Sequence, residues 1–416
     1  MLENGFRPLP DGMRDLPPED ASIQRYVESV AARVMDSWGF TEVIPSTIQF
    51  NDEVSSGPGK YIEAKTYKFS DRRGRVLTLR PEMTVPVARM VATGGWSFPA
   101  KVWYRGSVFR MQEDRSSRPH EFTQVGAEVF GLSDPLADAE IVAVCADCLR
   151  AAGIGVFRIG IGDVRVTNRL LEQARLGGEA VTQALEALQR RDMVLLKGIL
   201  GDAGASPAVI DRIMEWLRPI PLREAVESGI LEDDTCSCIR GVVEGLRSFD
   251  IDRVAYLDMS IVRDMTYYTG MVFEVYGKGI GHAVGGGGRY DGLLERFGIS
   301  QPATGFALGA PEVAELIREQ GGTAPRKSVT LVTASRGTAS QAASLARSLR
   351  ARGQRVRFDG DPVSREEAAR RGAAVGATSV LYVTPAGCEE VCGEPGLPGV
   401  AWAAWLARYS ELAGIH

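Results

Sequence analysis

The spacing of apolar positions changes along the chain, and the changes divide it. In "PPEDASIQRYVESVAARVMDSWGF", Ile23, Val27, Val30, Val34 and Trp38 fall close to helical spacing, after Pro and Asp start signals and before a stop at Gly39. "TEVIPSTIQF" then reads as a short strand. "TYKFSDRRGRVLTL" has two strand-like arms around a polar Ser-Asp-Arg-Arg-Gly tip and predicts a hairpin. "AKVWYRGSVFR" and "HEFTQVGAEVF" read as strands on either side of an arginine-rich loop, "DPLADAEIVAVCADCLRAAGI" as a capped amphipathic helix, and "VFRIGIG" as a further strand.

From about residue 166 to 250 the strand signals disappear. "ALEALQRRDMVLLKGIL" and "AVIDRIMEWL" are helical, with "GDAGASP" as a break, so this stretch predicts a helical insertion in a sheet domain. Strand patterns return in "RVAYLDMSIV" and "MVFEVYG", and "GHAVGGGGRYDGLL" reads as a loop. The linker "EQGGTAPRKS" separates a core at 1–320 from a tail at 325–416. In the tail, "SVTLVTA", "QAASLARSLRARG", "RVRFD", "SREEAARRGAAVGA" and "SVLYVT" alternate strand with helix, the rhythm of parallel strands and crossover helices. The expected fold is α+β, an antiparallel sheet core with a helical insertion, followed by a small α/β domain.

Composition narrows the class. At 416 residues and 44% apolar content, two or three domains with a real core are expected. The polar, proline-rich opening "MLENGFRPLPDGMRDLPPED" does not resemble a signal peptide, and no apolar run reaches membrane-spanning length; the reading is a soluble cytoplasmic protein. The cysteines at 145, 148, 236, 238, 388 and 392 lack the paired spacing of a structural zinc site, so reduced thiols and no metal are expected, with Cys145 and Cys148 packing as small hydrophobes on a helix. A net charge of −5 provides no global field for nucleic acid. The tail runs the other way, with twelve Arg/Lys against eight Asp/Glu, a modest local excess.

Candidate chemistry concentrates in four stretches. "SVFRMQEDRSSRPHEFTQVGAEVFG" crowds Arg110, Arg115, Arg118 and His120 against Glu113, Asp114 and Glu121, and guanidinium groups read planar anions bidentately. The alternative is a solvated hairpin tip. "LRPEMTVPVAR" sets Glu82 and Thr84 two apart, able to share an ammonium group if extended, or to serve as a helix cap. "IVRDMTYYTGMVFEVY" carries Arg263 and the pair Tyr267–Tyr268, of which at most one would line a pocket if both sat on a strand. "GGGGRYDGL" lets backbone approach a ligand ahead of Arg289 and Asp291, yet is neither a P-loop nor a dinucleotide turn; a mobile turn is the plain alternative.

Taken in order, "LPDGMRDLPPED", "LRPEMTVPVAR", "VFRMQEDRSSRPHEFTQVGAEVFG", "VRDMTYYTGMVFE", "GGGGRYDGL" and "ATGFALG" resemble the histidyl-tRNA synthetase core, and the tail resembles that family's anticodon-binding domain. The resemblance implies a class II aminoacyl-tRNA synthetase fold and usually a dimer. Two subfamilies share it: the synthetase, and the regulatory subunit of ATP phosphoribosyltransferase, which binds histidine and associates with a short catalytic subunit. By position in matching blocks, the resemblance implies that Glu82, Thr84 and Gln124 hold the histidine α-amino group. It places Glu128 and Tyr268 near the imidazole, with Tyr267 beside them, and Arg110 and Arg263 near the carboxylate.

The ATP half departs from the synthetase pattern. Gln112 stands where the synthetase has a base-contacting Glu, and "GAPEV" puts Glu312 where its phosphate-binding arginine belongs. At about 4 Å and an effective dielectric near 20, a unit charge pair is worth roughly 4 kcal/mol, so the reversal turns attraction into comparable repulsion of phosphate. Pro311 would also disturb a helix unless it sits in the first turn. "VRDMTYY" is closer to the regulatory relatives, whereas the surviving Arg263 and the tail keep an active histidyl-tRNA synthetase as the alternative. The expectation is a non-catalytic regulatory subunit in histidine biosynthesis. Its partners would be a short-form phosphoribosyltransferase, a second copy of itself and L-histidine, without cofactor, membrane or nucleic acid.

Overall fold

Strands of ten residues on either side of the arginine loop are the longest of a nine-stranded sheet. The computed structural model describes residues 9–55, 60–111, 118–229, 231, 236–263, 267–323, 328–392 and 400–401. The chain divides into two compact units, Met1–Ala324 and Pro325–His416. In chain order the strands of the first are Thr41–Glu42 (β1), Ile48–Phe50 (β2), Lys68–Ser70 (β3), Val76–Leu79 (β4), Ala100–Phe109 (β5), Glu121–Phe130 (β6), Phe157–Asp163 (β7), Ile220–Pro221 (β8), Ala255–Leu257 (β9), Met271–Gly277 (β10), Ala283–Arg289 (β11) and Ala303–Gly309 (β12).

The large sheet runs β1-β5-β6-β12-β11-β10-β7-β9-β8. It is antiparallel from β5 to β7, with parallel pairs only at β1–β5 and β7–β9. Strand alternation sorts its two faces. Val125, Ala127 and Val129 of β6 join the core beneath helices Pro18–Ser37 and Pro135–Ala151, through Val27, Val30, Ile141 and Leu149. The intervening Gln124, Gly126 and Glu128 point to the opposite face. The Pro135–Ala151 helix starts where Asp134 accepts the Leu136 N–H at 2.8 Å, and Cys145 and Cys148 are buried in its core-facing side.

Three elements differ from the sequence reading. "TEVIPSTIQF" divides into β1 and β2, because Pro45 interrupts pairing between them. The stretch read as a glycine loop is β11, central in the sheet and paired on both sides. Glycine has poor intrinsic strand preference, but the ladder supplies the backbone partners and neighbouring side chains fill the space that its own would take. The helical run contains helices 164–173, 178–189, 193–202, 207–216, 222–227 and 240–248, yet also β8, which pairs with β9.

A three-stranded sheet, β2-β4-β3, has its polarity inverted. Gln49 and Thr78 pair across it and are buried, while Ile48, Phe50 and Phe69 are exposed on the other side.

The second unit has a five-stranded sheet in the order β14-β13-β15-β16-β17, from Thr330–Ala334 (β13), Val356–Pro362 (β14), Ser379–Thr384 (β15), Gly387–Cys392 (β16) and Val400–Ala401 (β17). β13 pairs in parallel with β14 and β15, and β16 is antiparallel to β15. Helices Ala339–Ala351 and Arg365–Ala374 connect the parallel strands, and Leu345, Leu349, Val332 and Leu381 close a core.

Candidate functional site

The face of the large sheet opposite helices Pro18–Ser37 and Pro135–Ala151 holds a cavity of about 490 Å³. Glu82, Thr84, Arg110, Gln124, Arg263, Tyr267 and Tyr268 all line it, as does Glu312. Gln112, Glu113, Asp114, Arg115 and Asp264–Thr266 lie outside the described residues.

Glu82 and Thr84 are not the extended pair that could clamp an ammonium group between them. Thr84 opens helix Thr84–Thr93, and Glu82 caps that helix: its carboxylate accepts the N–H groups of Thr84 at 2.6 Å and Val85 at 2.9 Å. Burial raises the Glu82 carboxyl above its ordinary value, while those two N–H groups and the Arg110 guanidinium oppose the rise.

Glu128 lies one layer behind the cavity wall. It is fully buried, and its carboxylate accepts the hydroxyls of Thr84 at 2.9 Å, Tyr104 at 3.0 Å and Tyr290. Burial pushes its carboxyl up to about 8, against those hydrogen bonds. The carboxylate reaches this position because the β12 residue opposite it in register is Gly305; a Cβ there would occupy the space of Oε2. The cavity surface above Glu128 is made by Thr84, Tyr290 and Gly305.

Arg263 likewise lies over Gly286 of β11, and donates to the Phe273 carbonyl at 3.2 Å. Its Nη1 is 3.6 Å from Glu274 Oε1, and its guanidinium carbon is 5.8 Å from the Tyr268 ring centre. Tyr267 and Tyr268 both line the cavity, with ring centres 4.9 Å apart. Strand alternation does not separate them, because β10 begins only at Met271. Arg110 donates to the Pro81 carbonyl at 2.6 Å and stacks 5.2 Å from the Phe122 ring centre. Of the loop's other described basic residues, Arg118 lines the cavity, whereas His120 pairs with the Tyr67 hydroxyl at 2.5 Å.

Several residues of this wall are absent from the motif-based set, Tyr290, Gln189 and Arg191 among them. Tyr290 follows Arg289 and points the other way, a placement that alternation from the glycine run contained once β11 is known to be a strand. Gln189 and Arg191 come from the helical insertion, where no sequence signal marks them. Arg191, at φ 53°, reaches Asp258 and Glu274 at 3.2 Å each and the Tyr276 hydroxyl at 2.7 Å. Glu274 therefore stands between Arg263 and Arg191 of the insertion, all three lining the cavity.

Arg289, which follows the glycine run, is structural. It is buried with Asp138, bonded at 2.9 Å, and donates to the Leu132 carbonyl at 3.1 Å. Pro311 occupies the first turn of helix Ala310–Glu319, where the missing N–H costs nothing.

The family model for histidyl-tRNA synthetase matches residues 12–313. A protein of Moorella thermoacetica named ATP phosphoribosyltransferase regulatory subunit is 38% identical, over 88% of this chain and 96% of its own length. One of the same name from Desulforamulus reducens is 32% identical, over 94% and 99%. Among solved structures, an ATP phosphoribosyltransferase regulatory subunit/histidyl-tRNA synthetase from Bacillus halodurans superposes with a TM-score of 0.77 at 26% identity, covering 90% of this chain and 97% of the other. A histidyl-tRNA synthetase from Nostoc superposes at 0.79 with 19% identity, over 97% and 99%, a likeness of fold.

Proposed function

This chain belongs to the histidyl-tRNA synthetase family, in its ATP phosphoribosyltransferase regulatory-subunit branch, and on that premise we propose that it is the histidine-sensing, non-catalytic chain of a two-component ATP phosphoribosyltransferase. One observation carries the choice over an active synthetase: a carboxylate, Glu312, lines the cavity where the family resemblance expects an arginine for ATP phosphates. The end that would hold an amino acid keeps its groups. Arg110 and Arg263 suit the ligand carboxylate, and the Thr84–Tyr290–Glu128 network suits a polar ring. Glu128 acts in this reading through the hydroxyls that it orients.

The catalytic partner would join ATP to phosphoribosyl pyrophosphate in the cytoplasm, and this chain would supply no group to that reaction. Histidine in the cavity would shift the assembly between active and inhibited states, with a coupling typically of about 1–3 kcal/mol. A ligand carboxylate on Arg263 would compete with Glu274, whose other oxygen accepts from Arg191, so occupancy has a route from the sheet to the helical insertion. The exposed Ile48, Phe50 and Phe69, gathered on one face of the three-stranded sheet, offer a surface for self-association.

Calorimetric titration should show L-histidine binding, with no histidine-dependent ATP–pyrophosphate exchange. Glu312→Arg alone should not create exchange. Robust exchange by the natural chain would establish the synthetase reading instead.

Co-expression with a short-form phosphoribosyltransferase of the same organism should give one co-eluting complex, active only with both chains and inhibited by histidine. A partner fully active and histidine-sensitive alone would refute the regulatory role.

A further inference from the structure

We propose that Glu312 and Gln124 together form the seat for the ligand's ammonium group, so that the residue standing in place of a phosphate arginine is itself a ligand contact. This rests on the histidine-binding reading and extends it to a residue that the family resemblance marks only as a loss.

Two observations carry it. Gln124 Oε1 and Glu312 Oε2 are buried acceptors with no hydrogen-bond donor among the described residues, and both side chains line the cavity. They are also neighbours by construction. Gln124 of β6 pairs in register with Gly309 of β12, and Glu312 folds back over that same glycine, where a Cβ would collide with its carboxylate. Buried polar atoms are ordinarily satisfied, so two adjacent orphan acceptors suit a donor that the described residues do not supply. A carboxylate offers none at neutral pH, and a phosphate brings negative charge up against Glu312. An ammonium group offers three N–H bonds and the charge that Glu312 lacks.

Of the three residues first expected to hold the ammonium, Gln124 keeps that place, whereas Glu82 and Thr84 are otherwise engaged. Both Glu82 oxygens accept backbone N–H groups of the helix they cap, and the Thr84 hydroxyl donates to Glu128. The cationic groups at this face, Arg110 and Arg263, suit the opposite charge. An α-amino acid would thus lie with its carboxylate toward the arginines and its ammonium toward Gln124 and Glu312, and phosphate would be repelled by the carboxylate that selects the amine.

The test uses the full chain and three probes: L-histidine, histamine, which keeps the ammonium but lacks the carboxylate, and imidazolepropionate, which keeps the carboxylate but lacks the ammonium. Glu312→Gln should weaken L-histidine and histamine by roughly 10- to 100-fold, the loss of one charge-assisted hydrogen bond, and leave imidazolepropionate nearly unchanged. Gly309→Ala, which keeps every charge and a backbone angle that alanine adopts (φ −80°), should give the same selective loss by displacing the carboxylate. Wild-type histidine affinity in both variants, with loss in Glu82→Gln, would return the ammonium to Glu82 and overturn this inference while leaving the proposed function standing. Equal weakening of all three probes with a lowered melting temperature would make Glu312 a structural residue, which also overturns it. No histidine binding by the natural chain would remove both readings.

Discussion

Glu128→Ala is expected to cost roughly 3–5 kcal/mol of folding stability, because it strips three buried hydroxyls of their shared acceptor and opens a void beside Gly305. Glu128→Gln should be much milder at neutral pH, and its pH profile is the sharper test. Burial raises the Glu128 carboxyl from 4.5 to about 8, so between those values the folded chain holds a proton that the unfolded chain has released. The resulting stabilisation is complete below about pH 4.5 and is lost as pH rises through about 8. Wild-type stability should therefore decline across that window relative to Glu128→Gln, whose amide resembles the protonated acid, by roughly 3–5 kcal/mol in total. Denaturant melts at pH 5 to 9 would measure it. Parallel profiles for the two proteins would mean that the carboxyl is ionised throughout. Histidine affinity should fall by less than about tenfold in Glu128→Gln, since this residue reaches the cavity through Thr84 and Tyr290.

Asp138→Asn should destabilise the protein by about 3 kcal/mol or more, by leaving the buried Arg289 guanidinium without its main counter-charge. Asp291, the other carboxylate near Arg289 at 3.1 Å, is half-exposed and compensates only in part. The ion pair ties β11 to helix Pro135–Ala151 and so fixes where Tyr290 enters the cavity. Replacing both partners by leucine and methionine should recover much of the loss, because the cost comes from an unpaired buried charge. Near-normal stability of Asp138→Asn, with weakened histidine binding, would instead mark Arg289 as a ligand-gripping residue.

These two expectations show where inference from sequence reached its limit. The glycine run was visible as a place where backbone meets something closely, yet two of its glycines face partners far away in the chain. Gly286 makes room for Arg263, and Tyr268 packs against Gly288. A bare string of glycines has no period-two apolar signal, so β11 could not be told from a loop. Glu128 was legible as a buried carboxylate of the site. Its three hydroxyl partners come from residues 84, 104 and 290, and nothing local to Glu128 marks them.

What the sequence determined by itself is whatever short-range chemistry dictates. The apolar spacing of Pro18–Ser37 and Pro135–Ala151 makes them helices with one buried stripe, and alternation makes β5 and β6 strands with one face for the core. The ordered motifs carried the family, the class II fold and many of the cavity's residues. The tertiary structure alone decided which of those residues have acceptors and donors left for a ligand. Glu82 is engaged by its own helix and Glu128 by three hydroxyls, while Gln124 on β6 and Glu312, in the first turn of the helix that follows β12, keep orphan acceptors. Hydrogen-bond satisfaction is a property of the assembled neighbourhood, set by groups that meet only when β6, β11 and β12 pair, and no local pattern encodes it.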